Sequence, residues 1–546
     1  MKRVPVTIAI LVLFSLSALL LAGCCCAPVP WLVSRFEAAS PTAVSVSQEP
    51  IPSPTLLERE ATATPIPAQP SPAVAPNATP IADMEDLSSY RPALRPEFAA
   101  DVQAAPGATH YFIQVTLAAD APTALTGLQR VRYTNAETVP LDALVFRLYP
   151  NLPGYAGKMT VDQVVLDGGP VRTSLEAEDS ALRVPLDPPL APGDVADLTL
   201  RFQASLPTDT SAGYGLYAYA DDVYALAGFY PTIPVYDDEG WNVEVAPPYG
   251  DATFTDVAFY QVQLTVPADL IVVTSGSTLE KRQNDDGSRT WVAVGGPMRD
   301  FYVAMSADYE VVSQEVDGTQ VNSYYRSGQE AGGKRALRYA SDALSLFGEK
   351  FGPYPYVELD VVATPTNAGG IEYPGAIVVA QGLYDEDGGF FEVATAHEVA
   401  HQWWYGMVGN DQLDEPWLDE SLASYSEYLY YEWTAGADRA NFIKERVFEA
   451  PYRAAQQEHW DRAVAGPVAS FSEAEYAGIV YGKGPLFFDA VRARLGDQNF
   501  LEALRAYLEA NRYGIAYPDE LIAAFEETSG QQIDDLYQSW ILGQAE

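Results

Sequence analysis

Four histidines occur in the 546 residues, and two of them stand in His397-Glu398-Val399-Ala400-His401. In an α-helix a step of four residues returns to nearly the same face, so both imidazoles can reach one ion. Glu398 sits beside them, placed to take a proton from water. Two imidazoles alone do not make a catalytic metal site. A third ligand is available in Glu420, within Trp417-Leu418-Asp419-Glu420-Ser421, with eighteen residues between it and His401. That interval lets the first helix finish, turn near Gly406 to Asn410 and return antiparallel on a second helix opened by Pro416. Two His and one Glu leave a fourth tetrahedral position open, the arrangement of a hydrolytic rather than a structural Zn²⁺, one per chain. Glu427 lies seven residues beyond Glu420 and therefore on the same helix face. It reads either as an acceptor that fixes a ligand imidazole or as a solvated carboxylate. His110 and His459 have no neighbours at ligand spacing and read as ordinary polar residues.

These side chains need a scaffold. After about Val316 the apolar pattern takes helical spacing, as in Gly333 to Phe351, Phe390 to Tyr405, Trp417 to Trp433, Lys483 to Leu495 and Asn499 to Ala510. Val357 to Ala363 and Gly375 to Gln381 read as strands of a small sheet beside these helices. Between His110 and Tyr309 the runs are short and alternating: Tyr111 to Leu117, Leu144 to Leu148, Asp197 to Phe202, Tyr260 to Val266 and Trp291 to Val294. Asn284-Asp285-Asp286-Gly287 is a turn between two such runs. The expected fold is α+β in two domains, a mostly antiparallel β domain over 106–314 and a mainly helical zinc domain over 315–546.

The N-terminus has a different character. Lys2 and Arg3 precede an apolar run, Ile8 to Leu21, too short for an ordinary membrane span, so residues 1–23 read as an export signal. It closes on Leu21-Ala22-Gly23-Cys24, which resembles the lipobox of bacterial lipoproteins and would make Cys24 the lipidated mature N-terminus; a plain signal peptide or an uncleaved anchor are the alternatives. Residues 24–105, rich in Pro, Ala, Ser and Thr, then read as a tether. This places the folded part outside the cytoplasm, in a bacterial cell envelope and held to a membrane by lipid. All three cysteines are Cys24, Cys25 and Cys26, so the folded domains form no disulfide and any metal is held by nitrogen and oxygen. A net charge of −42 argues against nucleic acid as a partner, since neutralising phosphates needs a basic face.

The motifs together resemble the gluzincin aminopeptidases, typified by aminopeptidase N and leukotriene A hydrolase. The likeness runs through His397 to Trp403 and through Glu420, set in Trp-Leu-Asp-Glu where the family usually has Trp-Leu-Asn-Glu. Upstream, Gly369-Gly370-Ile371-Glu372-Tyr373 is similar to the family's Gly-Ala-Met-Glu-Asn. Downstream, Val480-Tyr481-Gly482-Lys483-Gly484 is similar to the segment bearing its catalytic tyrosine. The resemblance implies a thermolysin-like catalytic domain that removes N-terminal residues from peptides. It implies that Glu372 binds the substrate's free amine, that Gly369 and Gly370 expose backbone to the peptide, and that Tyr481 donates to the oxyanion. A second amine-binding residue is expected from the β domain, in Gly228 to Trp241. Many relatives carry a long helical C-terminal domain that this sequence lacks as read, so a more open cleft, or one closed by a partner, is expected. The rival readings are a zinc endopeptidase and a catalytically silent surface peptide-binding lipoprotein.

Overall fold

The computed structural model describes residue 84, residues 86–386 and residues 388–544; Cys24 and the export and tether segments up to residue 83 lie outside the described residues. No helix among the described residues is long and apolar enough to cross a membrane.

The N-terminal half is built on an eight-stranded sheet. Its strands run in the order Ser277–Gln283, Ser288–Met298, Ala258–Pro267, Thr109–Leu117, Ala124–Thr134, Val195–Ser205, Lys158–Leu166 and Gly169–Pro170. Ala124–Thr134 and Val195–Ser205 alternate almost residue by residue between buried and exposed, because one face of the sheet covers the core and the other is wet. All pairs are antiparallel except Thr109–Leu117 with Ala258–Pro267, which are parallel. A parallel neighbour needs a long crossover, and the chain between these two strands folds into further small sheets. The Asn284–Gly287 turn joins Ser277–Gln283 to Ser288–Met298, with Gly287 at φ 86°.

The second half begins with a five-stranded mixed sheet in the order Tyr309–Val316, Thr319–Arg326, Glu358–Thr364, Ala376–Ala380 and Gly370–Ile371. Helix α1 (Glu330–Lys350) lays Ala336, Ala340, Ala343 and Phe347 into the core beside it. Helix α2 (Phe390–Ala400) is apolar nearly all round and buried. Helix α3 (Trp417–Ala435) follows, also largely buried. The fold is thus the β half plus helical half expected from the sequence.

Three details depart from the sequence reading. The strand Tyr309–Val316 belongs wholly to the second sheet, so the passage between halves falls before residue 309 rather than at 314/315. Residues 86–105, expected to be tether, fold as 3₁₀ turns against the body: Tyr90, Leu94 and Val102 are buried, and Arg95 donates through its backbone N to Pro355 O at 2.9 Å and through Nη1 to Tyr354 O at 2.9 Å. A few large apolar side chains suffice to dock a segment whose overall composition is linker-like. Finally, α2 stops at Ala400 rather than Tyr405. Tight turns follow, with Gly406 N on His401 O at 2.8 Å and Tyr405 at φ 118°. This break lets two fully buried indoles find separate acceptors, Trp403 on Gly352 O at 2.8 Å and Trp404 on Ser426 Oγ at 3.2 Å.

Candidate active site

Helix α2 presents His397 and His401 one turn apart, with ring centroids 4.6 Å apart and Nε2 atoms 3.0 Å apart. Glu420, in the first turn of α3, brings Oε2 to 3.0 Å from His397 Nε2 and 3.4 Å from His401 Nε2. The far side of each ring is engaged. His401 Nδ1 donates to Trp404 O at 2.9 Å, and a carbonyl can only accept, so the proton belongs on Nδ1 and Nε2 offers a lone pair. His397 Nδ1 faces Glu427 Oε1 at 2.7 Å, which fixes the same tautomer. Of the two sequence readings of Glu427, the buried acceptor is the one the structure shows. Three lone-pair donors aimed at one point repel each other unless a cation stands between them. Two nitrogens and a carboxylate oxygen, buried together within 4.8 Å, are a donor set that fits Zn²⁺.

Glu398 is buried beside these ligands. Burial pushes its carboxyl up to about 8; the imidazoles of His397 and His401 oppose this, and the carboxylates of Glu372 and Glu420 add to it. The edge strand Gly370–Ile371 passes against it so closely that a Cβ on Gly370 would lie 2.3 Å from Glu398 Oε1. Glycine is required there by contact. Gly369 continues that edge, its carbonyl accepting from Ala380 N at 3.1 Å. Glu372 follows directly, buried, with Oε1 accepting from Gln412 Nε2 at 2.9 Å.

Tyr481 reaches the cluster from a third element. Residues 473–495 form one continuous helix whose middle, Ile479–Lys483, widens into a π turn. Its hydroxyl donates to Glu420 Oε1 at 2.5 Å, and its ring lies 6.0 Å from that of His397. The helix can approach α3 because Gly484 has no side chain: a Cβ there would lie 1.9 Å from Ser421 Oγ, which in turn donates to Val480 O at 2.7 Å. His397, Glu398, His401, Glu420, Glu427, Glu372, Gly369, Gly370 and Tyr481 therefore all meet in one place.

Of Gly228 to Trp241, where a second amine-binding residue is expected, Phe229 to Val235 pack into the core, with Tyr230 buried against Tyr111 and Tyr260 and Thr232 paired to Arg147, while Asp238 and Glu239 are exposed. The β half instead reaches the site through residues 249–253. Gln412 is the joint: it accepts from Thr253 Oγ1 at 2.9 Å and donates to Glu372 Oε1 at 2.9 Å and to Asp419 Oδ2 at 2.8 Å. Asp419, standing where the resemblance has Asn, also accepts from Glu420 N at 2.8 Å. Burial raises the Asp419 carboxyl to about 7, with the Glu420 carboxylate adding to it. Asp300, from the β half, is buried behind Glu372, and Tyr405 Oη donates to its Oδ2. Burial, then the Glu372 carboxylate, raise Asp300 to about 7, against the pull of Thr255 and Arg299. Gln412, Asp251 and Asp300 carry no motif spacing in the sequence.

A metal-ligand helix, its third ligand on the next helix and a mixed sheet whose edge strand lies against the first define the gluzincin type of metallopeptidase architecture. Residues 335–540 match the peptidase family M1 domain. In that segment the chain is similar to the M1 peptidases. It is 28% identical over 439 residues to Aminopeptidase M1-A of Oryza sativa subsp. japonica, covering 72% of this chain and 49% of that protein. With Aminopeptidase N of Streptomyces lividans it shares 25% identity over 410 residues, 70% of this chain and 45% of the relative. The chain thus spans about half the length of these relatives. In fold it is similar to the M1 zinc metallopeptidase from Deinococcus radiodurans, at TM-score 0.62 and 20% identity over 80% of this chain and 94% of that one.

Proposed function

We propose that the chain is a zinc metallopeptidase that removes N-terminal residues from peptides. The observation that carries this is the meeting of Glu372 with the His397, His401 and Glu420 donors and with Glu398 in one buried cluster. Zn²⁺ held by those three residues would supply Lewis acidity towards the scissile carbonyl and water. Glu398 takes the proton of the attacking water and returns it to the leaving amine, a task suited to a carboxyl whose affinity for protons lies near neutrality. Tyr481 Oη donates to the oxyanion. Glu372 accepts from the substrate's ammonium and so presents only the first peptide bond. The edge at Gly369 and Gly370 pairs with the peptide as an added strand. Glu427 and the Trp404 carbonyl hold the two imidazoles in register. A mutant of the Deinococcus radiodurans relative has been crystallised with a Tyr-Ser-Ala substrate, in keeping with a peptide in such a cleft.

The test is turnover of aminoacyl fluorogenic amides and their N-acetylated counterparts, with Glu398→Gln as the control. Cleavage of free-amine substrates alone, lost in the control, supports the reading; equal cleavage of blocked substrates refutes the exopeptidase assignment. We further propose that the protein acts outside the cytoplasm, anchored through a lipid on Cys24, from the Leu-Ala-Gly-Cys sequence and the linker-like segment after it. Incorporation of labelled fatty acid, abolished by Cys24→Ala, tests this.

A further inference from the structure

The hydroxyl of Tyr481 reaches the cluster from an irregular stretch of helix, and what holds that stretch is a buried cation. Lys483 closes the π turn Ile479–Lys483 two residues beyond Tyr481 and is only 6% exposed. Its Nζ donates to Asp461 Oδ1 at 2.8 Å and to Arg462 O at 2.7 Å, and lies 5.6 Å from the centre of the Tyr452 ring. Tyr452 Oη in turn donates to Asp461 Oδ2 at 2.9 Å, so both oxygens of that carboxylate are engaged. The receiving loop is itself anchored: Val464 N and Ala465 N donate to Ile541 O at 2.8 and 3.1 Å, and Arg462 Nη1 donates to Ser470 O at 2.7 Å. A Cβ on Gly482 would lie 3.1 Å from Tyr452 N and 3.2 Å from Phe448 O, so the turn rests directly on a second π turn, Glu445–Glu449.

A π turn carries one residue more than a regular helical turn and is rare, so tertiary contacts must hold it in place. Relaxation to a regular helix would rotate Tyr481 relative to the helices on either side. Ile479, Val480 and Gly482 have no polar side chain to prevent this, and Tyr481 uses its own hydroxyl on Glu420. That leaves Lys483. An ammonium out of water is tolerated where it is paired and hydrogen-bonded, so its acceptors fix where it can sit. Neither of those acceptors is a zinc donor. Building on the function proposed above, we infer that Lys483 and Asp461 are positioning residues, whose ion pair keeps the π turn in the register that aims Tyr481 Oη at Glu420 and at the oxyanion beside it. The ammonium acts through the tyrosine and touches no reacting atom.

The first test needs no activity. Crystal structures of the zinc-loaded full chain carrying Lys483→Met or Asp461→Asn should show Tyr481 Oη displaced by about 1 Å or more from Glu420 Oε1, a shift large enough to matter for catalysis. A tyrosine still seated on Glu420 in both overturns the inference. Kinetics then separate positioning from general stability. Methionine keeps the unbranched stem and removes the charge, so Lys483→Met is expected to lower kcat by about 10- to 100-fold, with KM and zinc content near the parent's. Placed on Tyr481→Phe, the same substitution should lower kcat by less than about twofold more, because the hydroxyl it positions is already gone. An equal loss in both backgrounds, or a kcat of Lys483→Met within about twofold of the parent, overturns the inference. Should the buried methionine prevent folding, Asp461→Asn decides: Asp461 is half-exposed, its loss leaves Lys483 the Arg462 carbonyl, and kcat should fall by about 3- to 10-fold only where Tyr481 is present. An unchanged kcat in that variant overturns the inference. A wild-type chain that cleaves no free-amine substrate, while the variants still displace Tyr481, would instead refute the aminopeptidase reading and support the role given to Lys483.

Discussion

The two sides of the cavity are built on opposite principles. On the imidazole side the Nδ1 atoms of His397 and His401 are locked from behind by Glu427 and the Trp404 carbonyl, which aims both Nε2 atoms at one point beside Glu420. On the side of Glu372, Asp419, Asp251 and Asp300 the carboxyls crowd together, Glu372 and Asp419 share the one amide of Gln412, and Asp251 Oδ2 is left without a partner. The first side is a donor set that fits Zn²⁺. The second leaves like charges and a buried oxygen without a counterpart. A fully satisfied pocket would gain little from binding, and an unsatisfied metal site would not keep its metal.

The contrast can be broken by substitution. Removing the proton acceptor between the two sides should have the largest effect: Glu398→Gln is expected to lower kcat by about 10²- to 10⁴-fold with zinc content intact, as measured by metal analysis beside kinetics. Tyr481→Phe removes the hydroxyl that donates to Glu420 Oε1 and, in the proposed reaction, to the oxyanion, so a loss of about 2.7–4 kcal/mol should appear mainly in kcat, with zinc content followed alongside. On the imidazole side, Glu427→Gln should weaken zinc binding by about 10- to 100-fold in a chelator competition, while kcat of the zinc-saturated protein changes less. A further effect is on stability. Asp300 holds its proton up to about 7 in the fold and to 3.8 when unfolded, so the folded state binds the extra proton across that window. Stability is therefore expected to fall as pH rises from 3.8 towards 7, and Asp300→Asn, which cannot ionise, should flatten that slope by a few kcal/mol in urea titrations at a series of pH values. An unchanged slope would show that Asp300 is not part of the strained side.

The same contrast explains how much of the site could be read from sequence. The imidazole side lies on two helices, where spacing is geometry: a step of four from His397 to His401 and of seven from Glu420 to Glu427 fixes the faces before any fold is known. The carboxylate side is made by packing. Asp251 and Glu372 are 121 residues apart, each in an irregular segment, and nothing periodic links them. Gln412, which joins Thr253, Glu372 and Asp419, sits in the connection between α2 and α3, and its role depends on three partners arriving from different parts of the chain. The alternation of the large sheet was legible for the same reason as the helices, a repeating pattern against one core. The docking of residues 86–105 was not, because three buried side chains outweighed a composition that resembles linker.

Arg299 gives this architecture a mechanical meaning. Fully buried, its guanidinium donates to Thr255 O at 2.7 Å in the β half, to Tyr405 O at 2.9 Å just beyond the metal-binding helix, and to Gly514 O near the chain's last helices. Gly409 is held so close beneath it that a Cβ would meet the guanidinium carbon at 2.1 Å. Melting either half alone would strand a charge in a non-polar interior, so the two should lose structure in a single calorimetric transition. A catalytic half expressed by itself would begin life with its Tyr405 carbonyl uncapped and with Gly514 O left to Gly409 N alone, which makes the M1-matched segment of this chain a poor candidate for independent use as a minimal enzyme.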